Sequence, residues 1–176
     1  MDSPRSVDAY VGVGSNIEPE HHIPEALERL ARHVELRGIS TFYQTPPLGR
    51  PEQEPFLNGV VKIRTALEPQ ALKFTVLRGI EAELGRVRTD DRYAPRCIDL
   101  DVLLYGDRVV AREGIEIPDP DIRRRAFIAV PLLELAPSLV LPDTGESLAA
   151  LPVAEPAAAM RPVPEFTQLL RARFAL

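Results

Sequence analysis

Residues 98–104, Ile-Asp-Leu-Asp-Val-Leu-Leu, decide which kind of fold this chain can adopt. Alternate residues of a strand face opposite sides, so Asp99 and Asp101 share one face while the apolar residues between them share the other. A strand this apolar belongs in a sheet, and its two carboxylates then project from a rigid surface with Cα atoms about 7 Å apart. The stretch therefore predicts a largely buried strand that carries two acidic side chains on a single face.

The sequence before this strand alternates between strand and helix patterns. Residues 7–13, 36–45 and 56–65 have the patterns of strands. Apolar residues at helical spacing predict one helix with Pro24 in its first turn and a second that is stopped by Gly85. The resulting order, β-α-β-β-α-β, predicts an α+β fold, a ferredoxin-like βαββαβ sandwich.

The sequence after the acidic strand predicts a hairpin and then a helix. Gly106 and Asp107 are typical of a hairpin turn, so we expect a short return strand over residues 108–110. The apolar stretch 126–135 predicts a helix, the first of two helical additions to the sandwich.

The C-terminal part of the chain has a different composition. Prolines alternate with alanines over residues 152–164, which predicts a stiff tether rather than a core element. The apolar residues that follow predict a short amphipathic helix that docks on the rest of the chain; they are Phe166, Leu169, Leu170 and Phe174. We therefore divide the chain into one domain over 1–151 and an extension of tether and helix over 152–176.

Composition narrows the class of protein before any motif is weighed. The 176 residues, 45% hydrophobic, suffice for one well-buried domain, and the net charge of −5 argues against a broad surface for nucleic acid or anionic membranes. No apolar run approaches the length of a membrane span, and the N-terminus lacks the pattern of a signal peptide. The single cysteine, Cys97, excludes an internal disulfide and is expected to fill the core. We expect a soluble, cytoplasmic protein that binds neither nucleic acid nor membrane.

Arginines are concentrated just before the acidic strand. The chain has 21 basic residues, of which only Lys62 and Lys73 are lysines, and four of the arginines fall within residues 85–96: Arg86, Arg88, Arg92 and Arg96. Guanidinium groups bind phosphate in a bidentate manner, and Mg²⁺ typically takes one or two carboxylates together with substrate phosphates. A D-x-D pair alone also fits a solvated strand face, but the pair beside these arginines favours phosphoryl transfer.

Residues 92–103, Arg-Tyr-Ala-Pro-Arg-Cys-Ile-Asp-Leu-Asp-Val-Leu, resemble the signature of the 6-hydroxymethyl-7,8-dihydropterin pyrophosphokinase family of folate biosynthesis. The resemblance covers roughly residues 8–145 and includes residues 14–16, 42–49, 56–58, 85–88 and 125–127. It implies a ferredoxin-like fold and the transfer of pyrophosphate from ATP, the co-substrate, to the pterin hydroxymethyl group. AMP would be released, and two Mg²⁺ ions would be required.

The resemblance also implies a role for each matching position. Asp99 and Asp101 would hold both metal ions and would form the catalytic group with Arg86 and Arg96. The ATP-binding positions would be Glu81, Arg88, Arg96, Val102, Asp119 and Arg125. The pterin-binding positions would be Thr45, Pro47, Leu48, Phe56, Asn58, Tyr93 and Phe127. Independently of the family, Phe56 and Asn58 share a strand face and could stack on and hydrogen-bond a flat heterocycle, although an ordinary cross-strand face fits them equally well.

Two departures from the family pattern affect the nucleotide side. Asp119-Pro120 stands where members commonly have a histidine followed by tyrosine or proline, and Arg78 replaces a glutamine in the second helix. Asp119 either faces the nucleotide or pairs with an arginine of the run 123–125. No second folate-pathway domain fits into the remaining residues, so we expect a monofunctional, monomeric enzyme.

Two rival functions stay open from the sequence. A metal-dependent nucleotidyltransferase could use the same D-x-D pair but would release pyrophosphate rather than AMP. A ferredoxin-like binding module, regulatory or RNA-binding, is the other, but RNA binding would favour aromatic residues and a basic sheet where this chain has carboxylates. The long polar loops 46–55 and 85–96 are expected to close over ATP as a lid.

Overall fold

A six-stranded antiparallel sheet organises the chain in the computed structural model, which describes residues 5–152 and 157–176. In chain order the elements are β1 (Val7–Ser15), α1 (Pro19–Leu30), β2 (Glu35–Ile39), β3 (Tyr43–Thr45), β4 (Phe56–Thr65), a π-helical segment (Ala71–Leu77), α2 (Arg78–Glu83), β5 (Asp99–Tyr105), β6 (Val110–Arg112), β7 (Ile115–Ile117), α3 (Ala126–Leu135), β8 (Arg161–Pro162) and α4 (Pro164–Arg173). Short 3-10 turns lie at Pro120–Ile122, Leu148–Ala150 and Ala157–Ala159.

The strand order confirms the predicted ferredoxin-like sandwich. The sheet runs β5-β1-β4-β3-β8, and β2 also pairs with β4. β1 therefore lies between β5 and β4, and its register with β5 sets Gly12 opposite Asp101 and Gly14 opposite Asp99. The acidic strand consequently lies beside a backbone with no side chains at the two facing positions.

Apolar side chains pack on both faces of the sheet. Leu100 and Val102 join the cluster under α1 and the π-helical segment, whereas Leu103 and Leu104 join a second cluster under α3. A register shift between Tyr10 and Val11 lets β5 bury two consecutive leucines on that second side. Because Leu100 and Val102 face the first cluster, the two carboxylates project from the opposite face.

Both predicted helices differ from expectation in detail. α1 begins at Pro19, so Pro24 is a buried residue inside the helix and not part of its first turn. The second helix ends before Gly85, whose φ of +89° favours glycine, but over Ala71–Leu77 it has π geometry. The wider turn buries the adjacent Val76 and Leu77 together. Within the described ranges, no helix is long and apolar enough to cross a membrane.

The predicted hairpin is wrong in its position. Residues 108–110 do not return along β5; instead β6 pairs with β7 around Gly114, whose φ is +76°. Gly106 and Gly114 both have the left-handed conformation that a two-residue turn needs, but of the two only Gly114 lies in a turn that joins paired strands. The chain then returns to β5 through the Asp119 amide, which donates to the Leu103 carbonyl over 2.9 Å.

The C-terminal segment takes part in the domain. The predicted tether falls partly on residues 153–156, outside the described residues, but Arg161–Pro162 adds strand β8 to β3 and is thus part of the sheet. α4 docks as expected: the Phe166 ring meets the Phe42 ring edge-on with centroids 5.6 Å apart. Leu169, expected in the apolar face, is 69% exposed.

Candidate active site

The Asp99 carboxylate is held on both oxygens by guanidinium groups. Arg86 Nη1 donates to Oδ1 over 2.8 Å, and Arg96 Nη1 donates to Oδ2 over 2.7 Å. Burial alone would raise the pKa of Asp99, but the two arginines outweigh it and hold that pKa below its usual value. The carboxylate is therefore ionised at neutral pH and fixed in direction.

Glu81 lies behind these arginines. It is 2% exposed, forms ion pairs with Arg86 at 2.9 Å and Arg88 at 2.7 Å, and accepts the Leu100 amide over 2.9 Å. Burial raises the pKa of Glu81, while the Leu100 amide and Arg86 act against that rise. Glu81 thus ties α2, the arginine loop and β5 together, and acts on the site through the arginines that it orients.

Asp101 is held less firmly than Asp99. Lys73 Nζ lies 2.9 Å from Asp101 Oδ1, and the Val102 amide donates to the same oxygen. The sequence did not single out Lys73 as a site residue. In the π-helical segment the Arg78 amide donates to the Lys73 carbonyl five residues earlier, so Lys73 and Arg78 reach the same side of the helix. α-Helical spacing does not indicate that placement.

A cavity of about 310 Å³ opens on one side of the carboxylate pair. The expected pterin-binding residues found on its wall are Thr45, Leu48, Phe56, Asn58, Tyr93 and Phe127. Pro46 lines this cavity, whereas Pro47 does not. Asn58 Nδ2 donates to Thr45 Oγ1 over 2.7 Å, and a Cβ at Gly14 would lie 2.5 Å from Asn58 Oδ1. Glycine at position 14 therefore makes room for the amide.

A second cavity, of about 710 Å³, opens on the arginine side. The cationic side chains that line it are Lys73, Arg78, Arg86, Arg88, Arg92 and Arg96. Asp99 and Asp101 line both cavities. The two carboxylates therefore lie at the junction between a cavity of small-molecule size and one suited to a polyanion.

Four of the expected ATP-binding residues do not line the larger cavity: Glu81, which lies behind the arginines, and Val102, Asp119 and Arg125. Val102 is 2% exposed and packs in the core, so its side chain does not face either cavity. Asp119 and Arg125 line the smaller cavity rather than the larger one. Cys97 belongs to the core cluster, as expected, and also reaches the wall of the larger cavity.

Asp119 caps the turn that follows it. Its Oδ1 accepts the Asp121 amide over 2.8 Å, and burial raises the pKa of Asp119 to about 7, with the neighbouring Asp101 adding to the rise. Arg123 pairs with Asp143 at 3.0 Å and Arg124 lies 3.9 Å from Asp121. Pairing of Asp119 with an arginine of the run 123–125 was one of the two arrangements expected from the sequence. Arg123 and Arg124 do not form that pair, since their partners are Asp143 and Asp121.

The two long loops contact one another through Asn16. The Asn16 amide nitrogen donates to Gln53 Oε1 and to the Glu54 carbonyl, and its oxygen accepts the Arg96 amide over 2.7 Å. Gln53 Nε2 also donates to the Tyr93 carbonyl over 2.8 Å. Asn16 is 5% exposed, so a buried side chain fixes both loops to the end of β1. Residues 14–16 are part of the family resemblance, but no local pattern of the sequence indicates the contacts of Asn16.

The donor chemistry of the pair fits Mg²⁺. Asp99 and Asp101 supply hard carboxylate oxygens from one strand face, and the larger cavity beside them suits phosphate groups. Over residues 5–152 and 157–176, no group of three or more His, Cys, Asp or Glu side chains could hold a metal ion. A cation at this pair would therefore complete its coordination with substrate oxygens and water.

The fold and the site together define a phosphoryl-transfer enzyme built on a ferredoxin-like domain. Residues 10–137 match the family model of 7,8-dihydro-6-hydroxymethylpterin-pyrophosphokinase (HPPK), and the chain belongs to this family.

Similar proteins agree with that assignment. The chain is 45% identical over 136 residues to the 2-amino-4-hydroxy-6-hydroxymethyldihydropteridine pyrophosphokinase of Methylorubrum extorquens, which covers 76% of this chain and 85% of that protein. It is 37% identical over 155 residues to the Folic acid synthesis protein fol1 of Pneumocystis carinii; this covers 85% of the chain but only 21% of that longer protein. A crystal structure of Plasmodium falciparum HPPK-DHPS, a triple mutant with SDX-DHP, shares the fold with a TM-score of 0.69 at 11% identity, over 100% of this chain and 47% of that one.

Proposed function

We propose that this chain performs the pyrophosphoryl transfer of its family at the Asp99–Asp101 pair. The substrates are ATP and 6-hydroxymethyl-7,8-dihydropterin, and the reaction belongs to folate synthesis. The hydroxymethyl oxygen attacks the β-phosphorus of ATP in line, the bond from that phosphorus to the bridging oxygen of AMP breaks, and the hydroxyl proton is released. The products are AMP and the pterin diphosphate.

The observation that carries this proposal is that two cavities share the same two carboxylates. A transfer between two bound molecules needs a separate place for each and one point where the reacting atoms meet. The amide of Asn58 and the ring of Phe56 suit a flat heterocycle in the smaller cavity. The cationic wall of the larger cavity suits a triphosphate.

The residues of the pair act mainly by position and charge. Arg86 and Arg96 orient Asp99, and their guanidinium groups would stabilise the negative charge that develops on the phosphates during transfer. Asp99 and Asp101 would hold two Mg²⁺ ions, which when bound offset the charge of the triphosphate. Arg88 extends the cationic wall, and Glu81 keeps Arg86 and Arg88 in place.

Product analysis tests this function directly. The protein is incubated with ATP, Mg²⁺ and the hydroxymethyl pterin, and the nucleotides are separated by chromatography. We expect AMP and pterin diphosphate in equal amounts, and no AMP when the pterin is omitted. Release of inorganic pyrophosphate would instead support a nucleotidyltransferase, and binding without turnover would support a binding module.

We further propose that the active form is a cytoplasmic monomer. The described residues of one chain form both cavities and the carboxylate pair between them, which supports a site that is complete within a monomer. Light scattering coupled to gel filtration should give a mass near 19.5 kDa at the protein concentration of the assay. A dimer that dissociates with loss of activity would contradict this.

A further inference from the structure

Lys73 is a cationic residue of the site to which the mechanism above assigns no role. Its ammonium lies 2.9 Å from Asp101 Oδ1, and its side chain is 17% exposed. It lines the larger cavity, whereas Asp101 lines both. The ammonium therefore stands beside a carboxylate proposed to hold metal, on the side where a triphosphate would lie.

The two carboxylates of the pair are restrained differently. Asp99 has a guanidinium on each oxygen, and Arg86 is in turn fixed by Glu81. Asp101 has Lys73 and a backbone amide on the same oxygen, Oδ1. The Lys73 ammonium is thus a side-chain cation in direct contact with Asp101.

A lysine suits a contact that is made and then released. An ammonium is a compact charge on four methylene groups, whereas a guanidinium is planar and locks onto flat partners. Arg78, on the same wall, shows the second behaviour, since its guanidinium carbon stacks 4.5 Å from the centre of the Phe74 ring. The sequence contains only two lysines, Lys62 and Lys73, and Lys73 is the one that lies in the candidate site.

The backbone of Lys73 is anchored in the core, while its side chain reaches Asp101 through the terminal ammonium. Leu72, Val76 and Leu77 of the same π-helical segment are buried in the core, and the Arg78 amide bonds the Lys73 carbonyl. Movement at this position is therefore confined to the long side chain, which can swing from Asp101 into the larger cavity without a change of fold.

From these contacts we propose that Lys73 is a displaceable stand-in for metal at Asp101 and becomes a ligand of the nucleotide phosphates. In the metal-free protein its ammonium offsets the charge of Asp101. When Mg²⁺ and ATP enter, the cation takes the carboxylate and the ammonium turns to a phosphate oxygen. This inference rests on the proposed function for the identity of the nucleotide.

The proposal predicts effects of opposite sign for one substitution. In Lys73→Met the ammonium no longer competes for Asp101, so Mn²⁺ alone should bind about 5-fold or more tightly. The same variant lacks a cation facing the phosphates, so the α,β-methylene analogue of ATP with Mg²⁺ should bind about 5-fold or more weakly. A purely structural ion pair would not weaken nucleotide binding.

The experiment measures both affinities on the full chain, Mn²⁺ by electron paramagnetic resonance and the analogue by calorimetry at fixed Mg²⁺. Lys62→Met is the matched control. Lys62 lies on β4, its ammonium is 3.3 Å from the carboxylate of Asp8 on β1, and it lines neither cavity. This substitution should change neither affinity. Lys73→Arg keeps the charge and the fold but grips Asp101 more firmly, so it should weaken binding of Mn²⁺ alone.

Opposite changes in Lys73→Met support the proposal. Unchanged Mn²⁺ binding, or unchanged nucleotide binding, overturns it. If circular dichroism shows that Lys73→Met does not fold, the affinity of Lys73→Arg for Mn²⁺ is the deciding measurement. An affinity equal to that of the wild type would overturn the proposal. Because the wild type is assayed in parallel for AMP formation, failure of the proposed function is seen separately from failure of the Lys73 exchange.

Discussion

The two cavities that meet at Asp99 and Asp101 are built in different ways. The smaller one has a wall of strand residues, including Thr45 on β3 and Asn58 on β4, whose backbones are paired in the sheet. The larger one is built mainly from residues 85–97, a loop whose shape depends on ion pairs and hydrogen bonds. The sheet thus offers fixed shape for recognition, and the loop offers charge that can rearrange around phosphate.

Removing a carboxylate at the junction should have the largest effect, because it affects both cavities. Asp99→Ala or Asp101→Ala should lower turnover at least about 10²-fold, since several kcal/mol of transition-state stabilisation are lost with the metal site. Folding should persist, as neither side chain is part of the core. Steady-state kinetics checks this, with Asp107→Ala, an exposed aspartate after the same strand, as the control. Near-normal turnover in both variants would remove the pair from the mechanism.

Substitutions confined to one cavity should separate the two substrates. Asn58→Ala removes an amide facing the smaller cavity and leaves the buried Thr45 hydroxyl without its partner, so KM for the pterin should rise about 10-fold to 100-fold. Arg88→Ala should instead raise KM for ATP, since Arg88 lines only the larger cavity. Initial-rate measurements with each substrate varied in turn would show this crossed pattern. Equal effects of both variants on both KM values would mean that the cavities do not act separately.

Asp119, beside the junction, should make the metal-free protein sensitive to pH. Its pKa is raised by burial to about 7, so the stability that its protonated form provides is present below about pH 4 and is lost as pH rises through 7. Asp119→Asn removes this titration. The wild type should therefore lose about 2 to 4 kcal/mol relative to the variant between pH 4 and pH 8. Urea unfolding at both pH values measures the difference, and parallel pH profiles would contradict it.

The smallest expected effect concerns the attachment of the loops. Asn16→Ala removes the hydrogen bonds to Gln53, Glu54 and Arg96, so amide exchange in residues 46–55 and 85–96 should become about 10-fold faster. His33→Ala, an exposed change outside the site, should leave exchange unaltered.

The same experiment examines whether the loops act as a lid. In the wild type, exchange in both loops should slow when the α,β-methylene analogue of ATP and Mg²⁺ are added. Unchanged exchange on addition of nucleotide would indicate a preformed site rather than a lid.

The fold was predictable because its signals are local and repeat along the chain. Period-two alternation in residues 7–13 and 56–65 and the stop at Gly85 identified β1, β4 and the end of the second helix, whereas the single strand expected over 36–45 is divided into β2 and β3. The π-helical segment was not predictable, since an apolar residue at every fourth position fits an α-helix equally well. The hairpin was misplaced because both Gly106 and Gly114 have positive φ, and sequence does not say which turn leads to pairing.

The site was predictable where chemistry and strand period coincide. Asp99 and Asp101 follow from the i, i+2 rule, and Arg86 and Arg96 follow from their density near the strand. Lys73 and Asn16 depend on contacts between distant parts of the chain, which no local pattern encodes. The surroundings of Asp119 depend equally on tertiary burial, so the sequence left its partner open.

The most direct measurement of the central claim is a crystal structure of the chain with Mg²⁺, the α,β-methylene analogue of ATP and the hydroxymethyl pterin. The account predicts the pterin ring in the smaller cavity beside Phe56 and Asn58, and the phosphates in the larger cavity among the arginines. The hydroxymethyl oxygen should then face the β-phosphorus across Asp99 and Asp101. A pterin bound outside the smaller cavity, or a β-phosphate away from the two carboxylates, would contradict the claim that this pair is where the two substrates meet.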